Sequence, residues 1–273
     1  MKYSVLMSIY KGDSPAFLKL SLESIFEKQT KKPDEIVVVF DGPISEELVA
    51  VLNDFRKGKE SIVKFYPQKE NKGLGEALRI GSEKCSGDFI FRMDSDDISL
   101  PNRFQIQSEY IESHPEIDVL GGCIEEFNES PDETDLRKRV CQTSSEGILK
   151  AGKRRNPMNH VTVCIRKSAL IESGGYLPLK YVEDYYLWIR MMNSGFKFAN
   201  LNDTLVYVRV GNGFVSRRGY NVLIDGFQVI QDYMLTNGMI SKRESRWNMF
   251  CVKAFVNAPA WVKKILYALF LRK

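Results

Sequence analysis

The run Ile36-Val37-Val38-Val39-Phe40 constrains this chain more than any other feature. Five consecutive apolar residues, most of them β-branched, offer no polar face to water, so they suit a central strand covered on both sides. Such a strand belongs in a parallel sheet, whose neighbouring strands need helical crossovers between them. The surrounding sequence supplies both. Residues 3–9 read as a first strand, followed by the polar turn Lys11-Gly12-Asp13-Ser14. Pro15 then opens a helix whose apolar face is Phe17, Leu18, Leu20, Leu22, Ile25 and Phe26. A helix over 45–55, a strand over 62–65, a helix starting at Asn71-Lys72-Gly73-Leu74-Gly75 and a strand over 89–93 complete four strand-helix steps.

Beyond Pro101 the pattern is less regular. It predicts a helix to about 113, a strand over 118–121, an exposed loop or lid over 125–138, a strand over 162–165 and a helix near 167–171. From about 219 the spacing is helical to the end. The expected fold class is α/β, a mostly parallel sheet flanked by helices, with one domain over 1–218 and a C-terminal helical extension over 219–273. At 44% hydrophobic and 27% charged residues the composition is that of a folded protein. A net charge of +4 is too small to favour nucleic acid as a partner. The N-terminus lacks the features of a signal peptide, and no window reaches the roughly 20 apolar residues of a spanning helix. These points set the expectation of a cytoplasmic protein. Five scattered cysteines without a C-x-x-C pair read as buried thiols.

Carboxylates gather at the ends of these strands. Asp41 follows the central run, and Asp94, Asp96 and Asp97 occupy three of four positions after the strand over 89–93. In open α/β sheets ligands bind beyond the carboxyl ends of the strands. Crowded carboxylates repel unless a cation neutralises them, and hard divalent ions such as Mn²⁺ or Mg²⁺ take oxygen ligands and share them with substrate phosphates. The competing reading is an acidic turn capping the next helix, which accounts for one aspartate but not three.

Four segments in order resemble family-2 glycosyltransferases of the GT-A (Rossmann-like) fold: Ser4-Val5-Leu6-Met7-Ser8-Ile9-Tyr10, Val39-Phe40-Asp41-Gly42, Asn71-Lys72-Gly73-Leu74, and Arg92-Met93-Asp94-Ser95-Asp96-Asp97-Ile98-Ser99-Leu100-Pro101-Asn102-Arg103-Phe104. The resemblance spans about 3–210. It implies inverting transfer from a nucleotide-diphosphate sugar, UDP-linked by expectation, to a glycan or polyprenyl-diphosphate-linked acceptor in bacterial surface-polysaccharide assembly, such as O-antigen or capsule. It assigns Asp41 to the nucleotide base, Asp94 to the ribose and Asp96 to the Mn²⁺ or Mg²⁺ that bridges the donor phosphates. Asp94 is a second candidate metal ligand, and Asp97 shares the nucleotide or metal role. The family usually shows D-D-G or N-D-G after its second strand; Phe40-Asp41-Gly42 keeps only one of that polar pair, which leaves base selectivity open.

Glu183-Asp184-Tyr185-Tyr186-Leu187-Trp188 is similar to the family's E-D-Y-x-L-W segment, which implies a catalytic base, Asp184 before Glu183. Acids at the start of a helix also favour its dipole, and the two readings are compatible. His160, in Asn156-Pro157-Met158-Asn159-His160, resembles a segment bordering the acceptor site. It is read equally as an acceptor or phosphate contact and as a structural histidine; His114 reads as structural. Lys153-Arg154-Arg155 and Arg217-Arg218 are either diphosphate contacts or solvated charge. At the C-terminus Trp261, Val262, Ile265, Leu266, Leu269 and Phe270 stand at helical spacing beside lysines, which suits either a helix peripheral on the inner membrane face or one packed on its own domain. The rivals are a sugar-phosphate nucleotidyltransferase, disfavoured by the first loop Tyr10-Lys11-Gly12-Asp13-Ser14-Pro15, and a non-catalytic nucleotide-sugar-binding module.

Overall fold

The structure is a computed structural model that describes residues 1–132, 136–210, 220–259 and 262. The first half alternates strictly: β1 (Tyr3–Ile9), α1 (Pro15–Ile25), β2 (Glu35–Phe40), α2 (Glu46–Arg56), β3 (Val63–Pro67), α3 (Leu74–Lys84) and β4 (Phe89–Met93). A two-residue β5 (Ile98–Ser99) and α4 (Arg103–Ser113) follow, then β6 (Val119–Phe127), β7 (Arg137–Arg139) and α5 (Ser145–Gly152). A single 3₁₀ turn (His160–Thr162) leads to β8 (Cys164–Arg166), α6 (Lys167–Glu172), α7 (Glu183–Asn193), β9 (Phe198–Arg209), α8 (Tyr220–Thr236) and α9 (Lys242–Asn257).

One sheet runs β3-β2-β1-β4-β8-β6-β9-β5, with β7 paired to β6. It is parallel from β3 to β4 and mixed beyond, where β8 is antiparallel to both β4 and β6 while β6 and β9 are parallel. The apolar run does what two-sided burial requires. Ile36 and Val38 enter a core under α1, α2 and α4 with Leu18, Leu48 and Phe104, whereas Val37 and Val39 enter a second core on the opposite face with Leu78 of α3 and Trp188 of α7.

The structure departs from the reading of the sequence at one loop, one strand and one helix. The expected exposed loop over 125–138 begins inside β6, where Glu126 and Phe127 are buried, and ends as β7; residues 133–135 lie outside the described residues. β9, twelve residues long, was not anticipated: Asn202-Asp203-Thr204 interrupts its apolar pattern, and pairing with β6 through a bulge rescues it. α5 went unread as well. Within the expected C-terminal helical extension, Ile230 and Met234 of α8 pack in the second core, and the Tyr185 and Phe227 rings lie 5.6 Å apart. The apolar positions around Trp261, Ile265, Leu266 and Phe270, and the pair Arg217-Arg218, lie outside the described residues. No helix among the described residues is long and apolar enough to cross a membrane.

Arg103, fully buried in α4, binds sheet to helix. Its Nη2 donates to the Arg92 carbonyl at 2.9 Å and its Nε to Gln107 Oε1 at 3.1 Å, while Gln107 donates onward to the carbonyls of Thr162 (2.9 Å) and Leu120 (3.2 Å). Burial pulls its pKa down to about 9, and the charge of Arg92 acts in the same direction. Arg103→Met fills similar volume but orphans these acceptors, so we expect a loss of about 2–3 kcal/mol in urea unfolding. An unchanged midpoint would show that the network contributes nothing.

Candidate active site

The strands β2, β1 and β4 end side by side, with Phe40 level with Ile9 and Met93 level with Met7. The loops leaving them therefore open on one sheet edge. Asp41 is nearly buried there: Oδ1 accepts the Lys72 amide at 2.7 Å and Oδ2 the Gly73 amide at 3.0 Å, tying β2 to the start of α3. Gly42 permits this approach, because its φ is +85° and a Cβ would lie 2.7 Å from the Asn71 nitrogen. Each carboxylate oxygen keeps a further lone pair for a ligand. A cavity of about 400 Å³, lined by Asp41, Gln68, Lys72 and Glu76 among others, opens beside it.

The acidic loop is more crowded than its sequence indicates. Asp13, from the loop after β1, joins it: burial pushes its carboxyl up to about 6, with Asp96 and Asp94 adding repulsion against hydrogen bonds from the Tyr10 amide (3.0 Å) and Ser95. Asp96 reaches solvent, yet the surrounding loop desolvates it and Asp94 repels it, so it too is pushed up to about 6. Asp94 is paired with Arg92, a buried guanidinium directly beneath the loop, and Ser21 of α1 donates to its carbonyl at 2.7 Å. Asp97 turns inward. Burial and its two acidic neighbours hold its carboxyl well above the usual range, and its Oδ1 accepts the Arg209 amide at 2.8 Å. The Arg209 guanidinium lies 3.8 Å from the centre of the Phe17 ring and donates to the Glu129 carbonyl at 3.0 Å, closing β9 over the loop.

The second acidic pair starts α7. Tyr181 just before it has φ +71°, a left-handed conformation that costs a non-glycine residue about 1 kcal/mol or more and gathers at functional sites. Glu183 is buried against α3, where Gly75 leaves room: a Cβ there would lie 3.2 Å from the Glu183 Cβ. Asp184 is more open. Its Oδ2 accepts Asn156 Nδ2 at 2.6 Å, its Oδ1 accepts the Tyr185 amide at 2.7 Å, and His160 Nδ1 lies 3.9 Å away. The His160 side chain is largely enclosed by its neighbours. Its Nε2 shares a hydrogen bond with the Tyr176 hydroxyl at 2.9 Å, its ring meets Trp188 edge-on, and burial together with the Arg92 charge holds it well below its ordinary pKa, hence neutral. Burial chiefly raises the Tyr176 phenol, which also feels Arg92, Asp184, Glu183 and Asp94. Both acidic centres thus act on one buried tyrosine. His114 is stacked on Tyr110 with ring centres 4.1 Å apart, as a structural histidine should be.

The structure therefore places Asp94 and Asp96 in the loop after β4, Asp41 after β2 on the far side of β1, and Asp184 at the start of α7. Sequence reasoning missed Asp13, Arg92 and Arg209 as parts of the site. An arginine in an otherwise hydrophobic strand, two positions before the aspartate that follows it, was the available signal for Arg92. Among the described residues no three His, Cys, Asp or Glu side chains converge as a ready-made metal cage.

Residues 4–174 match the model of Glycosyl transferase family 2. The amylovoran biosynthesis glycosyltransferase AmsE of Erwinia amylovora is 41% identical over 222 residues, 81% of each chain. The UDP-Gal:alpha-D-GlcNAc-diphosphoundecaprenol beta-1,3-galactosyltransferase of Escherichia coli is 36% identical over 218 residues, 80% of this chain and 78% of that one. An uncharacterised glycosyltransferase of Haemophilus influenzae reaches 46% identity over 80% of this chain and 79% of its own. S. aureus TarS 1-349 in complex with UDP-GlcNAc superposes with a TM-score of 0.70 at 18% identity, over 99% of this chain and 76% of that one, and shows the shared GT-A fold. Another S. aureus TarS structure has a longer chain, of which this one spans 46%. With a match covering more than half its residues and relatives aligned over most of theirs, this chain belongs to glycosyl transferase family 2.

Proposed function

We propose that the protein catalyses inverting transfer of a sugar from a UDP-linked donor to a glycan carried on a polyprenyl diphosphate, at the cytoplasmic face of the membrane. The observation that carries this reading is the presence of two acidic centres, the loop of Asp13, Asp94 and Asp96, in which only Asp94 is paired with Arg92, and the separate, hydrogen-bonded carboxylate Asp184, both felt by the buried Tyr176. The names of the Escherichia coli and Erwinia amylovora relatives support the chemistry and the setting.

Each residue then has a task. Asp41 accepts a base N–H with its remaining lone pairs. Asp96, with Asp94 or Asp13, would hold Mn²⁺ or Mg²⁺; the mutual repulsion that helps to raise Asp13 and Asp96 to about 6 would be relieved by such an ion, and donor phosphates would complete its shell. The ion would supply positive charge against the departing diphosphate. Asp184 takes the proton of the acceptor hydroxyl as that oxygen attacks the anomeric carbon from the face opposite the diphosphate. Asn156 and the Tyr185 amide fix the orientation of Asp184, and Arg92 that of Asp94.

The test is mass spectrometry of products after incubation with a panel of UDP-sugars and synthetic lipid-diphosphate acceptors. One added sugar per acceptor is expected. Formation of a nucleotide sugar from a sugar phosphate and UTP would establish the nucleotidyltransferase instead, and donor binding without turnover would establish a binding module.

A further inference from the structure

α9 carries an apolar patch on its outer face. Its inner face, Ser245, Asn248, Met249 and Val256, is buried, and Asn248 donates to Gln231 Oε1 of α8 at 3.1 Å. The opposite face is built differently. Trp247 and Phe250 are each 63% exposed and stack on one another with ring centres 5.7 Å apart; Cys251 and Ala254, at helical spacing, continue the exposed strip. Stacking two aromatics in water satisfies neither, and solvent-facing Trp and Phe together are unusual unless something covers them. Lys242, Arg243, Arg246 and Lys253 are exposed around them, while Glu244, the acid of this helix, is engaged by the Ser241 amide and hydroxyl, both at 2.8 Å, in a capping box. Lys153 and Arg154, left without a task above, lie close enough to lower the Glu244 pKa, although the Ser241 hydrogen bonds are the larger cause.

We infer that this face of α9 docks on an anionic lipid surface. The charge selects the occupant. A second copy laid face to face would set the same four cations against each other. The chain's own residues 260–273 contain Lys263, Lys264, Arg272 and Lys273 and no acid, so they match the charge of the face rather than complement it. A bilayer rich in anionic headgroups attracts such cations, and its interface takes in Trp and Phe. The inference rests on the lipid-linked acceptor proposed above and deepens it. Asn248 of α9 donates to the Lys153 carbonyl at 2.8 Å, and three residues on Asn156 holds Asp184 at 2.6 Å. Docking would therefore fix the base relative to the membrane that delivers its acceptor.

Flotation of the full chain with vesicles of phosphatidylcholine, with and without phosphatidylglycerol, tests this, beside the double variants Trp247→Ser/Phe250→Ser and Arg243→Glu/Arg246→Glu. The altered side chains are exposed, so melting temperatures should hold. Wild type should float with anionic vesicles and little with neutral ones. The aromatic pair should cost roughly tenfold in binding, and the charge reversal roughly 25-fold or more, at about fivefold per basic residue lost. A fluorophore on Cys251 of the otherwise unaltered chain should shift to the blue on anionic vesicles. Wild type that does not float, an aromatic variant that binds as wild type does, or a dimer in light scattering that the aromatic variant dissolves would each overturn the inference, the last in favour of a second copy. Transfer to a short, soluble acceptor separates the two readings: activity without flotation removes only the docking, whereas flotation without activity removes only the transferase.

Discussion

Asp184→Asn should lose about a hundred- to ten-thousand-fold in turnover, the range expected when a general base is removed, with donor affinity nearly unchanged. The amide preserves the shape of the side chain and can still accept the Tyr185 amide, losing only the bond from Asn156, so the fold should survive while the basic oxygen is gone. Glu183→Gln is the control. Its side chain is buried against α3, a site suited to shaping the start of α7 rather than to meeting a substrate hydroxyl. Titration of UDP into both variants, alongside single-turnover kinetics, separates the cases. If Asp184→Asn loses nucleotide binding as severely as turnover, Asp184 serves the donor, and Glu183 becomes the base.

Asp96→Asn should abolish most transfer, and EDTA should silence the wild type until Mn²⁺ or Mg²⁺ is restored. Full wild-type activity in EDTA would refute the metal assignment. The same substitution makes a second, opposite prediction for stability. An ordinary aspartate titrates near 3.8, whereas Asp96 in the folded protein is pushed up to about 6, so the folded state binds this proton more tightly than the unfolded state does. Its contribution is fully present below the ordinary value and is lost as pH rises from about 4 to about 6. Asp13 has the same sign and window. In EDTA at neutral pH the wild type therefore folds against two reluctant carboxylates, and Asp96→Asn should melt at a higher temperature than wild type, an advantage that disappears near pH 4. Thermal melts across pH 4–8 read this directly. A variant that melts lower at every pH would show that Asp96 is already neutralised within the chain. Ion binding should also release protons into weakly buffered solution, because these ligands must ionise to coordinate.

Much of this site was legible because strand ends are written into the chain as changes from apolar to acidic residues. Asp41 and the Asp94 to Asp97 loop fall directly after apolar runs, and the β-α alternation places those runs side by side. What could not be read is whatever depends on contact between distant segments. Asp13 belongs to a turn of ordinary composition, and only the packing of α1, with Ser21 bonded to the Asp94 carbonyl, carries it to the acidic loop. Arg209 ends a strand whose middle is polar, so neither the strand nor its closure over Asp97 has a local signature. His160 kept two readings because a neutral, buried imidazole and a substrate contact look alike in sequence; Tyr176 and Trp188, which enclose it, are 16 and 28 positions away.

The two arginines beneath the acidic loop bear on how this family can drift. Arg92 and Arg103 place positive charge under carboxylates that crowd one another, and Arg103 is anchored on the carbonyl of Arg92 itself. Replacing either arginine leaves acids with less to offset them, and replacing an acid leaves a buried cation with less to oppose. Each single change is penalised more than the paired one. Lineages that alter the loop should therefore have crossed that barrier by exchanging residues in compensating sets, so that the ancestry of the site is recorded in correlated substitutions between the loop and the floor that no donor ever touches.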